Sequence, residues 1–125
     1  MDKWQAIHNF WNGFNIPAYD ATSVYSGENS PQTPYITYEA QTGALGQVLT
    51  LTASIWYRSS SWEDISKKAD EIAEYIGVGY AIADVDGGYV WLTRGQPFAQ
   101  RMSDVEDDMI RRIYIIVNAE FLTAY

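Results

Sequence analysis

Cysteine is absent from this 125-residue chain. Disulfides, thiolate nucleophiles and cysteine-based zinc sites are therefore excluded. Histidine occurs once, as His8, so a histidine metal cluster cannot form and a catalytic triad would need that residue. Basic residues are scarce: eight Lys and Arg face sixteen Asp and Glu, giving a formal charge of −8. Such a surplus repels phosphate and disfavours duplex binding, although DNA could still slide past without sticking. At physiological salt, charges act over only about 8 Å, so only acids facing the DNA would matter. Long apolar runs are missing too. No stretch approaches the roughly eighteen apolar residues that would suggest a membrane-spanning helix. The opening MDKWQAIHNFWNGF carries Asp2, Gln5, His8 and Asn9 and has no apolar core of the secretory kind. The expectation is a protein made and assembled in the cytoplasm.

Aromatic residues, by contrast, are plentiful: five Trp, ten Tyr and four Phe, within an apolar fraction of 47%. That fraction supports a packed core in a single domain spanning residues 1–125, and Trp and Tyr also suit interfaces.

Hydrophobic periodicity sketches the elements. Trp4, Ile7 and Trp11, extended by Phe10 and Phe14, predict a helix over residues 3–14, closed by Gly13 and Pro17. Residues 17–34 read as a long polar loop. Alternation predicts strands at 35–41 and 47–58. In the second, Leu49, Leu51, Ala53, Ile55 and Tyr57 share one face, and Val48, Thr50, Thr52, Ser54 and Trp56 share the other. The stretch SSSWEDISKKADEIAEYIG predicts a helix. Its capping box is Ser60 with Glu63, or Ser61 with Asp64, and its buried stripe is Trp62, Ile65, Ala69, Ile72 and Ile76. Asp64–Lys68 and Lys67–Glu71 have ion-pair spacing, and Gly77 suits the helix end. Residues 80–94 read as a hairpin turning at Asp86-Gly87-Gly88. Residues 111–125 form a final strand with Ile113, Ile115, Val117, Ala119 and Phe121 on one face. The order predicts an α+β fold: a mainly antiparallel sheet of about five strands with two main helices packed on one face.

No constellation is a convincing reaction centre. DVDGGY at 84–89 opens like a calcium loop, but Gly88 occupies a ligand position and no terminal Glu follows. GVG at 77–79 follows a helix and lacks the remaining glycine of a dinucleotide fingerprint. The run Asp104, Glu106, Asp107 and Asp108 reads as a solvated face, an interaction loop or, least of all, paired catalytic carboxylates. Within it Ser103 and Glu106 have the spacing of a helix cap. Arg111 and Arg112 follow, suited to bidentate pairing with carboxylates within the chain or across an interface. Residues 95–109 thus read as a connection held against something.

The segments WQAIHNFWNGFNIPAYD, PYITYEAQTG, ASIWYRSSSWEDISKKADEIAEYIG and DGGYVWLTRGQPFAQRMSDVEDDMIRRIYIIVNAEF resemble tail-terminator proteins of tailed bacteriophages and prophages. These are also called minor tail or tail-completion proteins. The likeness spans the whole chain in length and element order. It is carried by Trp56-Tyr57, by Ser61, Trp62 and Ile65, and by pieces around Phe98, Gln100, Arg101, Asp108, Ile110, Arg111, Arg112 and Tyr114. It implies a small α+β subunit that forms a ring, commonly a hexamer, at the head-proximal end of the tail tube. The ring ends tube growth and meets the head connector, and DNA passes through it. Expected partners are other copies, the tube protein and a head-completion protein, in the virion tail and, during assembly, the host cytoplasm. No cofactor, metal or reaction is implied. Phe98, Gln100, Arg101, Asp104, Asp107, Asp108, Arg111 and Arg112 are the expected assembly interface. The alternatives are a head–tail adaptor or tube subunit, a small hydrolase using carboxylates of the 84–108 region, and a monomeric binding module with an aromatic cleft around Trp4, Trp11 and Trp91.

Overall fold

A computed structural model describes residues 1–23, 31–103 and 107–124. Two helices and six strands follow in the order α1 (Lys3–Trp11), β1 (Ala18–Asp20), β2 (Tyr35–Tyr38), β3 (Val48–Arg58), α2 (Glu63–Ile76), β4 (Ala81–Val85), β5 (Gly88–Met102) and β6 (Ile110–Thr123). The fold is α+β. Its single curled sheet runs β1-β2-β3-β6-β5-β4. The sheet is mixed and six-stranded, whereas the sequence suggests about five antiparallel strands. The additional strand is β1, paired in parallel with β2 through Ala18↔Ile36. Three residues are too few to display an alternation, so β1 hides inside what reads as a loop.

Packing follows the predicted stripes except at Trp4, which is exposed. Leu51, Ala53 and Ile55 of β3 lie opposite Val117, Ile115 and Ile113 of β6, and all six are buried on one face of the sheet. Ile7 and Trp11 of α1 and Ile65, Ala69, Ile72 and Ile76 of α2 join the same cluster. Both helices therefore cover one face. Phe14 is buried as expected, but it lies beyond the end of α1.

Local details differ from the sequence reading where side chains had a choice of partner. No capping box forms on α2. Its N-cap is Trp62, and the Ser61 Oγ instead accepts from the Glu63 N–H two residues on. Such a local turn competes with the longer-range cap. The ion pairs are Glu63–Lys67 and Lys68–Glu71. Lys68 turns from Asp64 because its ammonium also donates to the Phe14 carbonyl at 2.6 Å, tying α2 to the segment after α1.

The largest departure is β5, which continues to Met102 across a stretch that reads as a connection. Register explains the concealment: Arg94 pairs with Val117 but Ala99 with Ile115, so residues 95–98 bulge opposite Ile116 alone. Pro97 offers no N–H to a ladder, which favours an irregularity there. Gly95 is required at the bulge, because a Cβ would stand 2.5 Å from Ile116 Cγ2 and 2.6 Å from its carbonyl oxygen. The Gly95→Ala variant is expected to lose about 1–3 kcal/mol, read from urea denaturation. The cap predicted at Ser103 and Glu106 does not open a helix among the described residues: 108–109 form a turn into β6, and Glu106 lies outside them.

Candidate assembly surface

The β-sheet pleat divides the expected interface. Arg111 lies opposite Tyr57, on the helix side, and Arg112 lies opposite Trp56, on the other. Successive strand residues must diverge in this way. Arg111 and Arg112, singled out together from the sequence, therefore face opposite sides of the sheet.

On the helix side, Arg101 and Arg111 converge on Trp62 at the start of α2. Their guanidinium carbons stand 5.0 and 5.2 Å from its ring centroid. Arg101 Nη2 donates to Ser66 Oγ at 3.3 Å. Arg111 donates to the Asp108 carbonyl at 2.6 Å and the Ser60 carbonyl at 3.1 Å. Neither arginine meets a carboxylate among the described residues. Two like charges share one indole, held among the described residues by ring, hydroxyl and carbonyl contacts.

Asp107 is paired differently, with Arg58. The Arg58 hydrogen bond, helped by the Met109 N–H, holds its carboxyl below the ordinary carboxylate range. The folded state thus takes up this proton less readily than the unfolded chain. The pair's contribution is present above the unfolded value and is lost as the pH falls through the lowered folded one. The stability difference between the native chain and Asp107→Asn is expected to be present at neutral pH and to shrink below about pH 4, in urea melts across pH.

The other sheet face is covered by neither helix. At one end Tyr35, Trp56 and Arg112 form a cross-strand row on β2, β3 and β6. Tyr35 and Trp56 stack at 6.2 Å between centroids with a 22° interplanar angle. The Trp56 indole N–H donates to Thr37 Oγ1 at 2.9 Å. The Arg112 guanidinium carbon lies 4.9 Å from the Trp56 ring centroid and 5.9 Å from that of Tyr114. Its Nε donates to the buried Ser54 hydroxyl at 3.0 Å. Burial pushes the Tyr35 hydroxyl up, so no tyrosinate neutralises the arginine near neutral pH. These groups line an open cavity of about 310 Å³, with Glu39 also on its wall.

Of the remaining expected residues, Phe98 is half-buried against the core. Gln100 is exposed on the Arg112 side, opposite Tyr114. Asp108 is exposed and contributes its carbonyl to Arg111, and Asp104 lies outside the described residues.

An apolar patch escapes the sequence reading. Tyr75, Val78, Tyr80 and Ile82, from the end of α2 to β4, are all exposed, Val78 at 97%. Tyr80 leans on Trp91 at 4.8 Å. The signal in the sequence was the GVGY segment, whose apolar residues belong to no periodic stripe. The aromatic cleft suggested by Trp4, Trp11 and Trp91 does not exist. Trp11 is fully buried under the helix-covered face, while Trp91, opposite Glu120, belongs to the uncovered face. His8 is part-buried, its Nδ1 2.9 Å from the Tyr38 hydroxyl. Among the described residues no three His, Asp or Glu gather as metal ligands. Asp84 belongs to the row of Leu122, and Asp107 stands beside the Arg58–Ile110 row. At about 3.3 Å per residue along β6 these acids are some 40 Å apart, too far to act on one bond.

No protein-family model matches the chain, and no curated protein matches it significantly.

Proposed function

We propose that the chain is a structural subunit of a bacteriophage or prophage tail. It assembles with further copies into a ring, commonly a hexamer, at the head-proximal end of the tail tube. The ring ends tube polymerisation, offers the head-completion protein its joining surface and lets DNA through without sequence-specific contacts. The likeness to tail-terminator proteins supplies the class. The observation that carries self-association is the sheet face covered by neither helix, on which Tyr35, Trp56, Trp91, Tyr114 and Ile116 remain only half-buried. Side chains of this size bring most to stability when water is excluded from both sides.

A specific contact buries about 800 Å² on each partner. Two such contacts per subunit would take about a fifth of this chain's 7250 Å². They must be heterologous to close a ring. The excess of acid supports a passage role, since a lumen lined by carboxylates would hold DNA off its wall.

Light scattering on a size-exclusion column and negative-stain micrographs, with and without tube protein, test the reading. Rings at tube ends are the expected result, and a monomer that leaves tubes growing unchecked would refute it. The Arg111→Glu/Arg112→Glu variant is expected to abolish rings while keeping a cooperative melt. Because these residues serve opposite faces, each single variant is needed to show which face matters. Normal tails from the double variant would remove both from the interface.

A further inference from the structure

We propose that the Arg112 cavity receives a carboxylate side chain from a second copy of the chain. This rests on the reading above only in taking the partner to be another copy. Arg112 is held on three sides without an acid: Ser54 fixes Nε, and the Trp56 and Tyr114 rings flank the guanidinium. Its two terminal nitrogens have no acceptor among the described residues. Arg58, Lys67 and Lys68 each have a carboxylate partner, whereas Arg112, like Arg101 and Arg111, has none among the described residues; of these three, Arg112 is the one that lines the cavity. A guanidinium immobilised with its fork unused is preorganised for a planar, bidentate acceptor.

The cavity favours a carboxylate over a nucleic acid. Its volume of about 310 Å³ is that of roughly ten molecules of liquid water, enough for an acidic side chain and part of its backbone. Glu39 on the wall would repel the multiple charges of a phosphate backbone but tolerates one charge seated on Arg112, and it can accept from the incoming chain's N–H. The chain itself supplies suitable occupants. The side chains of Asp70, Glu74 and Asp84 are exposed and make no ion pair or hydrogen bond among the described residues. Asp70 and Glu74 sit on α2, on the covered side of the sheet, whereas the cavity opens on the uncovered side over β2, β3 and β6, so a copy offering either would dock by a different surface from the one receiving it. That is the heterologous geometry a ring needs.

Arg112→Lys keeps the charge and places an amine in the cavity. A water-soluble carbodiimide then joins that amine to a touching carboxylate as an amide, taking up the water released. Mixing isotope-labelled and unlabelled chains before peptide mass spectrometry distinguishes links between copies from links within one. The expected result is an intermolecular link from residue 112 to a single acid. Arg112→Gln should raise the dissociation constant of self-association at least about tenfold without a matching fall in melting temperature. Unchanged association of Arg112→Gln, or a link only to Glu39 of the same chain, would overturn the proposal. Rings that form without a link at residue 112 would sink this inference and leave the ring standing. A linked, closed dimer would do the reverse, and a chain that never self-associates would sink both.

Discussion

Gly88→Ala is expected to lower the stability of the fold by about 3–5 kcal/mol, through overpacking against backbone and a strained φ. Gly88 opens β5 and is the point where that strand pairs with both β4, through Val85, and β6, through Thr123. Its φ is +153°, and an added Cβ would stand 2.0 Å from the Leu122 carbonyl oxygen. That neighbour is backbone in a central strand, so it cannot swing aside as a side-chain tip would. Relief requires parting β5 from β6, and the β4 pairing goes with it. For a domain of this size the melting temperature should fall by roughly 10–20 °C. Gly79→Ala is the matched control: a Cβ there meets nothing within 4 Å, and the residue has no positive φ. It should be neutral or stabilising by up to about 1 kcal/mol. Calorimetry and urea denaturation of the pair check the prediction, and equal melting of the two variants would refute the close approach at Gly88.

Trp11→Ala should cost a similar amount, about 3–5 kcal/mol, by another mechanism. Trp11 is the largest fully buried side chain and lies where α1 meets the sheet. Phe10 packs edge-on against it at 4.8 Å. Truncation would leave a void beneath a helix of only nine residues, too short to hold itself together in water. Trp11→Phe separates the indole's volume from its polarity. The Nε1–H is buried without a partner among the described residues, so removing it relieves an unsatisfied donor while a smaller void opens. The phenylalanine variant should therefore retain most of the stability that alanine loses, in denaturant melts with helicity followed by circular dichroism. A phenylalanine variant as unstable as the alanine one would show that the indole N–H has an acceptor in solution.

The expected interface shows how far side-chain type alone can be taken. Arg111 and Arg112 read as partners for carboxylates, but they and Arg101 are held by aromatic rings and hydroxyl or carbonyl oxygens, with no carboxylate partner among the described residues. The expectation groups them in one interface together with the connection 95–109, whereas they are spread over two strands and both sheet faces. Arg101 belongs to β5 and the other two to β6, with the two faces of the sheet dividing them. Alternation in residues 47–58 already placed Ser54 and Trp56 together. It could not reveal that Tyr35 and Arg112 complete their row, because neighbours across strands are set by register, which no single strand carries.

What this chain's sequence settled alone was everything with a local period. The α2 stripe and most of that of α1, the alternating faces of β3 and β6, the turn at Asp86 and Gly87, and the chemistry closed off by the absence of cysteine and the single histidine are of this kind. Each depends on residues a few positions apart, and the apolar stripe names its own buried side. The tertiary structure decided what depends on distant residues meeting: the parallel partner of β1, the bulge that hides β5, and the division of the arginines. It also decided the setting of Arg112 between Trp56, Tyr114 and Ser54. Those outcomes are fixed by strand register and by competition among partners for the same donor, quantities that come into being only when the sheet closes.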